Sequence, residues 1–185
     1  MPHISRLQRE KTALAVIDMQ EGFRSIIGDF DGVARRIATA VQTAHTLKIP
    51  VVVTEQYPHG LKRTAQEIVA HLEAADPVIE KLCFSACGAD GFVDQLTQRG
   101  VKQVLVCGIE AHICVTQTAL DLLERDFEVH LILDCITARF PHNKQIAVER
   151  LTALGAVPSS LEMALFELLK TAGTSEFKAV QALLK

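Results

Sequence analysis

Cys114 lies where an apolar strand is expected to give way to an amphipathic helix. The run 101–107 is rich in β-branched residues and stops at Gly108, and residues 118–123 continue with apolar positions at helical spacing. A thiol at the start of a helix faces unpaired backbone N–H groups and the positive end of the helix dipole, which favour the thiolate. The sequence therefore predicts a nucleophile with a lowered pKa at Cys114, with a buried structural cysteine as the alternative.

Two further ionisable residues stand at the ends of predicted strands. Asp18 directly follows the apolar run 12–17, where a carboxyl group at the edge of the core can serve as general acid and base. Lys81 lies near the end of another predicted strand, where its ammonium group can stabilise both a carboxylate and a thiolate. Each has a plainer alternative, because Asp18 can cap a loop and Lys81 can be a solvated partner of Glu80. Their shared position at strand ends makes them candidates for one site with Cys114.

The remaining cysteines indicate neither a disulfide scaffold nor a zinc site. Five cysteines are an odd number, and they lie near the ends of apolar segments, so reduced thiols are expected. Cys83 and Cys87 are close enough in sequence to bind a metal together, but no second Cys/His pair follows at a suitable spacing. We therefore predict no metal ion and no other cofactor, and we interpret Cys83, Cys87 and Cys107 as small core residues.

The composition favours a single soluble domain and argues against several functional classes. The 185 residues are 49% hydrophobic and carry a formal charge of −3, so the chain can bury a substantial core but has no basic footprint for nucleic acid. The longest apolar runs are much shorter than a membrane span, and the polar residues 1–11 lack a signal-peptide pattern. We expect a cytoplasmic protein with a small-molecule substrate, and neither nucleic acid nor a membrane as a partner.

The chain alternates between strand and helix patterns along its whole length. Strands are expected at residues 12–17, 51–54, 77–82, 101–107, 127–133 and 155–158. Helices are expected at residues 31–48, 64–72, 90–99, 143–154, 161–169 and 176–184 and directly after Cys114. Ser160 is expected to cap the helix 161–169, and residues 57–60 are expected to form a loop.

This alternation predicts an α/β fold with three layers. Strands joined by helix-length segments form a doubly wound, mostly parallel sheet of about six strands with helices on both faces, in a Rossmann-like arrangement. We expect one domain over residues 1–185, with a C-terminal helical extension from about residue 171. Ligands bind such folds outside the carboxyl ends of the strands, near the point where strand order reverses. No G-x-G-x-x-G motif follows the first strand, which argues against a nucleotide-binding oxidoreductase.

Taken together, these segments resemble the isochorismatase-like cysteine hydrolase superfamily over residues 13–169. The resemblance is carried by Val-Ile-Asp-Met-Gln at 16–20, by Lys81 with Phe-Ser at 84–85, and by Gly-Ile-Glu-Ala-His-Ile-Cys-Val at 108–115. Within the superfamily, isochorismatase-domain-containing proteins of uncertain substrate are most similar, through residues 54–58, 108–110 and 118–123.

The resemblance implies a hydrolase with a Cys-Asp-Lys triad. Cys114 would be the nucleophile, Asp18 the general base and later acid, and Lys81 their electrostatic partner, with a covalent thioester released by water. It also implies a cis peptide bond between Ile109 and Glu110, with the N–H groups of Glu110 and Cys114 forming an oxyanion hole. The alternative is a catalytically idle binding or scaffold protein that retains the fold.

The thiol also narrows the reaction that the resemblance implies. Cleavage of the vinyl ether of isochorismate needs no thiol nucleophile, so Cys114 favours hydrolysis of a small amide or related C–N bond. Nicotinamidases carry an aspartate and histidines after the second strand that bind a metal ion. Here the matching stretch offers Glu55 and only His59, which argues against a tight metal site and against nicotinamide as substrate.

Several residues near strand ends are candidates to contact a substrate. They are Gln20, Phe23, Glu55, Tyr57 and His112, with Arg139 as a further pocket candidate. His112 lies only two residues before Cys114, so we expect it to face the loop or the substrate rather than to act as the base. The high apolar content and the amphipathic terminal helices also predict a homo-oligomer.

Overall fold

The computed structural model describes residues 6–184; the first five residues and the last residue of the predicted domain lie outside this range. Six β-strands are present, β1 (Thr12–Ile17), β2 (Val51–Gln56), β3 (Val78–Lys81), β4 (Gln103–Gly108), β5 (Glu128–Ile136) and β6 (Val157–Ser159). The α-helices are α1 (Phe30–Thr46), α2 (Pro58–Leu61), α3 (Gln66–Val69), α4 (Phe92–Thr97), α5 (Thr116–Leu123), α6 (Pro141–Ala153), α7 (Leu161–Leu169) and α8 (Ser175–Leu183). Every predicted strand and helix has a counterpart among them.

The six strands form one parallel sheet in the order β3-β2-β1-β4-β5-β6. The chain builds outward from β1 to β3, then returns to the other side of β1 and builds outward again from β4 to β6. The reversal of strand order therefore falls between β1 and β4. This arrangement confirms the predicted doubly wound α/β fold.

Two hydrophobic cores lie on the two faces of the sheet because side chains alternate along each strand. In β1, Leu14 and Val16 pack on the side of α1, α7 and α8, whereas Ala13, Ala15 and Ile17 pack on the side of α4, α5 and α6. All six residues of β1 are buried, as expected for a strand covered on both faces. No helix among residues 6–184 is long and apolar enough to cross a bilayer.

The ends of several elements differ from the sequence predictions for local reasons. Residues 57–60 are not a plain loop, because Pro58 begins the short helix α2, where its fixed φ suits the first helical position. β5 continues three residues past the predicted end because a register shift keeps it paired with the end of β4. Ser160 caps α7 as predicted, accepting a hydrogen bond from the Met163 N–H at 3.2 Å.

Candidate active site

The close approach of β4 to β1 depends on a glycine at the end of β4. Gly108 has a φ of +114°, and a Cβ on it would lie 1.9 Å from the carbonyl oxygen of Ile17. The N–H of Ile109 donates to that same oxygen at 2.9 Å. A larger residue at position 108 would have to push the strand ends apart. This glycine therefore lets the segment after β4 pass directly beside the residue that follows β1, which is Asp18.

The carboxylate of Asp18 is buried at this edge of the sheet and is held by two neighbouring strands. Its Oδ1 accepts a hydrogen bond from Thr54 Oγ1, and its Oδ2 accepts one from Lys81 Nζ, both at 2.7 Å. The backbone of Asp18 is left-handed, with a φ of +49°, which aspartate tolerates better than most residues do. The side chains of Lys81 and Asp18 are 0% and 1% exposed, so each charge depends on the other for compensation.

The ammonium group of Lys81 is surrounded by four oxygens. Besides Asp18, these are Gln56 Oε1 at 2.8 Å and the backbone carbonyls of Phe84 at 2.9 Å and Cys83 at 3.2 Å. An ammonium group has only three hydrogens, so all of its donors have acceptors. The position of the Lys81 charge is thus fixed by the ends of β1 and β2 and by the loop after β3.

Cys114 lies in a π-type turn, Ala111–Val115, that leads directly into α5, and it is only 7% exposed. Burial and the negative charge of Asp18 raise the pKa of its thiol to about 12, although the Lys81 ammonium opposes this rise. The predicted lowering of the Cys114 pKa by a helix N-terminus is therefore wrong. Desolvation and the neighbouring Asp18 carboxylate outweigh the Lys81 ammonium, and this balance favours the protonated thiol.

Glu110 is anchored by the segment that follows β5. The peptide bond between Ile109 and Glu110 is cis. The buried Glu110 carboxylate accepts hydrogen bonds from the backbone N–H of Arg139 at 2.9 Å and from its Nε at 3.0 Å. The next residue, Ala111, donates its N–H to the carbonyl of Thr137 at 2.9 Å, while the Glu110 N–H has no backbone acceptor among residues 6–184.

Two of the predicted substrate contacts belong to the framework of the site instead. Gln20 is 0% exposed, and its side-chain amide bonds the backbone of Gln56 in both directions as well as the carbonyl of Lys62. Phe23 packs against the core on the α1 side of the sheet. Direct contact of Gln20 or Phe23 with a substrate stays a prediction.

Glu55 is likewise turned away from Asp18. Its Oε1 accepts hydrogen bonds from the N–H and Oγ1 of Thr64, both at 2.7 Å, and its Oε2 accepts one from Arg63 at 2.8 Å. Burial alone would raise the pKa of Glu55, but the bonds from Arg63 and Thr64 outweigh it and hold the pKa below its usual value. Among residues 6–184 there is also no group of three or more His, Cys, Asp or Glu side chains that could hold a metal ion.

A groove of about 370 Å³ lies along residues 80–82 at the end of β3. Its volume falls within the range of small-molecule sites, roughly 300–1,000 Å³. It is lined by Tyr57, Pro58, His59, Glu80, Lys81 and Leu82. The predicted contact Tyr57 lines this groove together with Lys81, whose side chain is itself 0% exposed. His112, on the π-type turn, is half-buried, and its Nδ1 is buried without a hydrogen-bond partner among the described residues.

Sequence reasoning missed Thr54 and Gln56, which hold Asp18 and Lys81 respectively. Both lie on β2, one on each side of Glu55, and residues two apart share a face of a strand. Since Glu55 points to Thr64 and Arg63, the alternation places its two neighbours on the face that meets the site. That signal was available once the strand was extended as far as Gln56.

The sequence matches a known family over most of its length. The model of the isochorismatase domain matches residues 12–163. The chain is 38% identical to the secreted isochorismatase effector Isc1 of Phytophthora sojae, over 98% of this chain and 88% of that protein. It is 36% identical to isochorismatase domain-containing protein 2 of Bos taurus, over 100% of this chain and 88% of that protein.

A solved structure shares the fold as well as the sequence pattern. The structure described as the MAR1 ribonuclease from Caenorhabditis elegans superposes with a TM-score of 0.92 at 34% identity, covering 97% of this chain and 92% of that one. The family match, these relatives and the sheet order agree with each other. The chain therefore belongs to the isochorismatase family of α/β hydrolases.

Proposed function

We propose that this protein is a cysteine hydrolase that cleaves a small amide or a related C–N bond through a thioester on Cys114. The observation that carries the proposal is the buried pair of Asp18 and Lys81, whose charges both act on the Cys114 thiol. The group lies beside the reversal of strand order, where doubly wound α/β proteins bind their ligands. Burying a charge pair costs desolvation free energy, and ionisable groups held in such environments cluster at functional sites.

The first step forms the bond between sulfur and carbon. Because the resting thiol is protonated, Asp18 takes its proton as the sulfur attacks the substrate carbonyl carbon. The carbonyl oxygen gains negative charge, which the N–H groups of Glu110 and Cys114 would stabilise. Removing one such donor typically slows a reaction by roughly 100-fold to 1,000-fold. Within the described part of the chain no backbone carbonyl accepts from the Glu110 N–H, which supports its assignment to this role.

The second half of the reaction returns the protein to its starting state. Asp18 gives the proton to the substrate nitrogen, the C–N bond breaks, and the amine leaves while the acyl group stays on sulfur. A water molecule then attacks the thioester carbon as Asp18 accepts one of its protons. The carboxylic acid departs, and the thiolate of Cys114 recovers its proton from Asp18. Throughout the cycle, the fixed positive charge of Lys81 compensates the negative charge that is carried by Asp18 or by the Cys114 sulfur.

The size and character of the groove support a small substrate. Its volume of about 370 Å³ suits a metabolite-sized molecule, and its lining includes Tyr57 and His59. The five free cysteines support a reducing, cytoplasmic location. Large apolar side chains at the surface, such as Leu82 at 76% exposed and Met163 at 63%, support self-association into a homo-oligomer.

The proposal is tested with a panel of small amides, ureides and carbamates. We expect release of amine or ammonia by the wild-type protein, and a loss of turnover on the order of 10,000-fold or more in Cys114→Ala. Cys87→Ala serves as the matched control, since Cys87 is a half-buried cysteine outside the ion pair. Mass spectrometry of the quenched reaction should find the acyl group on the peptide that contains Cys114.

Two alternative functions are separated by the same assay. If Cys114→Ala retains turnover, the nucleophile lies elsewhere, and if no compound is turned over, an idle binding or scaffold role is favoured. The C. elegans relative is named a ribonuclease, so a structured RNA belongs in the panel. The formal charge of −3 gives this chain no electrostatic preference for a polyanion, and we expect RNA to remain intact.

A further inference from the structure

We infer that Gln56 is a positioning residue, whose neutral amide holds Lys81 in place and leaves its positive charge to Asp18 and Cys114. The inference rests on the proposed function, in which Lys81 acts on the reacting sulfur. Gln56 is the last residue of β2, and its Oε1 lies 2.8 Å from Lys81 Nζ. It acts through Lys81 and need not touch a substrate to matter.

The orientation of the Gln56 amide is fixed by its other end. Its Nε2 donates a hydrogen bond to the carbonyl of Leu82 at 2.8 Å, so its oxygen must face Lys81. The reversed amide would set an NH2 group against an ammonium group, with two sets of donors and no acceptor. The two contacts of one side chain therefore connect β2 to the residue after β3 and to Lys81 itself.

The backbone of Gln56 is fixed in turn by Gln20. The Gln56 N–H donates to Gln20 Oε1 at 2.8 Å, and the Gln56 carbonyl accepts from Gln20 Nε2 at 3.0 Å. Gln20 is fully buried and lies two residues after Asp18. A closed ring results, in which Asp18 bonds Lys81, Lys81 bonds Gln56, and Gln56 bonds the segment that carries Asp18. Moving any member would move the ammonium relative to the carboxylate.

The charge of residue 56 matters as much as its shape. Of the four oxygens around Lys81 Nζ, only the Asp18 oxygen carries a formal charge. A carboxylate in place of the Gln56 amide would share the Lys81 cation with Asp18. The cation would then do less to oppose the burial and the negative charge that disfavour the Cys114 thiolate.

The other charged groups around the site are already paired. The charges that act on the Cys114 thiol come from Asp18 and Lys81. In the segment that carries Cys114, the Glu110 carboxylate is bonded to Arg139.

The remaining acidic groups nearby also have partners. On α5, Asp121 Oδ2 accepts a hydrogen bond from Ser85 Oγ at 2.6 Å. On the neighbouring strands, Glu55 and Glu80 both pair with Arg63. A negative charge introduced at residue 56 would therefore interact most strongly with the Lys81 ammonium.

The test measures the alkylation rate of Cys114 by iodoacetamide, resolved by mass spectrometry, from neutral to alkaline pH. In Gln56→Glu we expect the pH profile of Cys114 labelling to move to higher pH, with a labelling rate about tenfold below wild type at a fixed pH. In Gln56→Met, which removes the acceptor without adding charge, we expect a decrease by a smaller factor. A small free thiol in a parallel sample reports the reactivity of the reagent.

The order of labelling rates decides the outcome. Rates in the order wild type, Gln56→Met, Gln56→Glu, in variants whose circular dichroism and urea midpoints show a folded protein, support the positioning role. Equal rates in all three proteins would overturn it, because a purely structural bond between strands would leave the thiol unchanged. If Gln56→Glu does not fold, the comparison of Gln56→Met with wild type gives the same decision.

The measurement is also independent of the proposed function. It needs no substrate, so Gln56 can prove to govern Cys114 reactivity even if the amide panel fails. Conversely, a turnover assay in which Cys114→Ala is inactive and Gln56→Glu matches wild type in both kcat and its pH profile would support the nucleophile and reject the positioning role.

Discussion

Two ion pairs formed by consecutive residues of β3 differ in almost every physical respect. Glu80 faces outward and pairs with Arg63, and these side chains are 53% and 65% exposed. Lys81 faces inward and pairs with Asp18, with side chains that are 0% and 1% exposed. Successive residues of a strand point to opposite faces, so one step along the chain separates a solvated charge from a buried one.

The difference shows which pair to associate with function. Forming the outer pair costs little hydration free energy and contributes little to stability, and salt screens its attraction. The inner pair loses its hydration entirely, which its mutual attraction repays only with good geometry and extra hydrogen bonds. Thr54, Gln56 and two backbone carbonyls supply those bonds. Such an arrangement is a poor way to gain stability and a good way to hold a charge beside a thiol.

The largest expected effect on stability comes from breaking the inner pair. Lys81→Met leaves the Asp18 carboxylate buried without its cation, which should lower the free energy of unfolding by about 3–5 kcal/mol. Turnover should fall at least on the order of 100-fold, because the charge beside the reacting sulfur is gone. Urea denaturation and the amide assay measure the two effects separately.

A double variant sharpens this prediction. Asp18→Asn added to Lys81→Met removes the uncompensated charge, so part of the lost stability should return while activity stays absent. A Lys81→Met protein that is as stable as wild type would mean that water reaches Asp18 freely. The contrast between the inner and outer pairs would then be lost.

A smaller effect is expected from Thr54, which supports the inner pair without carrying charge. Thr54→Val keeps the shape but removes the hydrogen bond to Asp18 Oδ1, and a bond to a charged group contributes about 1.5–3 kcal/mol. The loss should show in the urea midpoint. Thr97→Val is the matched control, since the Thr97 hydroxyl is exposed and bonds only within its own helix. Equal losses in the two variants would show that Asp18 does not depend on Thr54.

The sequence predicted where the charges lie better than what surrounds them. Asp18, Lys81 and Cys114 could be placed at one edge of the sheet because strand ends follow from apolar runs and turn residues. Their burial depends on side chains brought in from other strands, which no local pattern reveals. The pKa of Cys114 was predicted in the wrong direction for this reason, since a helix N-terminus is visible in the sequence and desolvation is not.

Alternation along a single strand explains two further outcomes. Glu55 was selected as a candidate contact because its residue type suits metal or substrate chemistry, yet its place in β2 turns it to Arg63 and Thr64. Its neighbours Thr54 and Gln56 have less reactive side chains, so residue type alone does not identify them as candidates for the site. A prediction based on which face of the strand each residue occupies, rather than on residue type, would have selected Thr54 and Gln56.

The pH dependence of stability offers a third test, in which the effect of each pH unit is smaller than that of either substitution. The Cys114 thiol has a pKa of about 12 in the folded protein, whereas a thiol in the unfolded chain ionises near about 8.5. Above that pH the unfolded chain has released a proton that the folded protein keeps, so stability falls as pH rises. This single group contributes a slope of up to about 1.4 kcal/mol per pH unit.

Urea unfolding at neutral and alkaline pH, in wild type and in Cys114→Ala, measures this slope. The variant should lose stability more slowly with rising pH. Cys87→Ala should remove a further part, because burial raises the pKa of Cys87 to about 11. If the slope is unchanged in Cys114→Ala, the thiol is not kept protonated by the fold, and the need for Asp18 to take its proton during attack would be withdrawn.

The smallest expected effect concerns the outer pair, and its smallness is the point. Glu80→Gln removes the charge that faces Arg63 while leaving Arg63 bonded to the buried Glu55, so no buried carboxylate loses its partner. We expect no resolvable change in the urea midpoint at moderate salt. Arg63→Ala is the less suitable variant, because it would also remove a hydrogen bond that holds the pKa of Glu55 down. A Glu80→Gln protein as unstable as Lys81→Met would contradict the contrast between the two faces of β3. Exposure to solvent would then have no bearing on the contribution of an ion pair to stability.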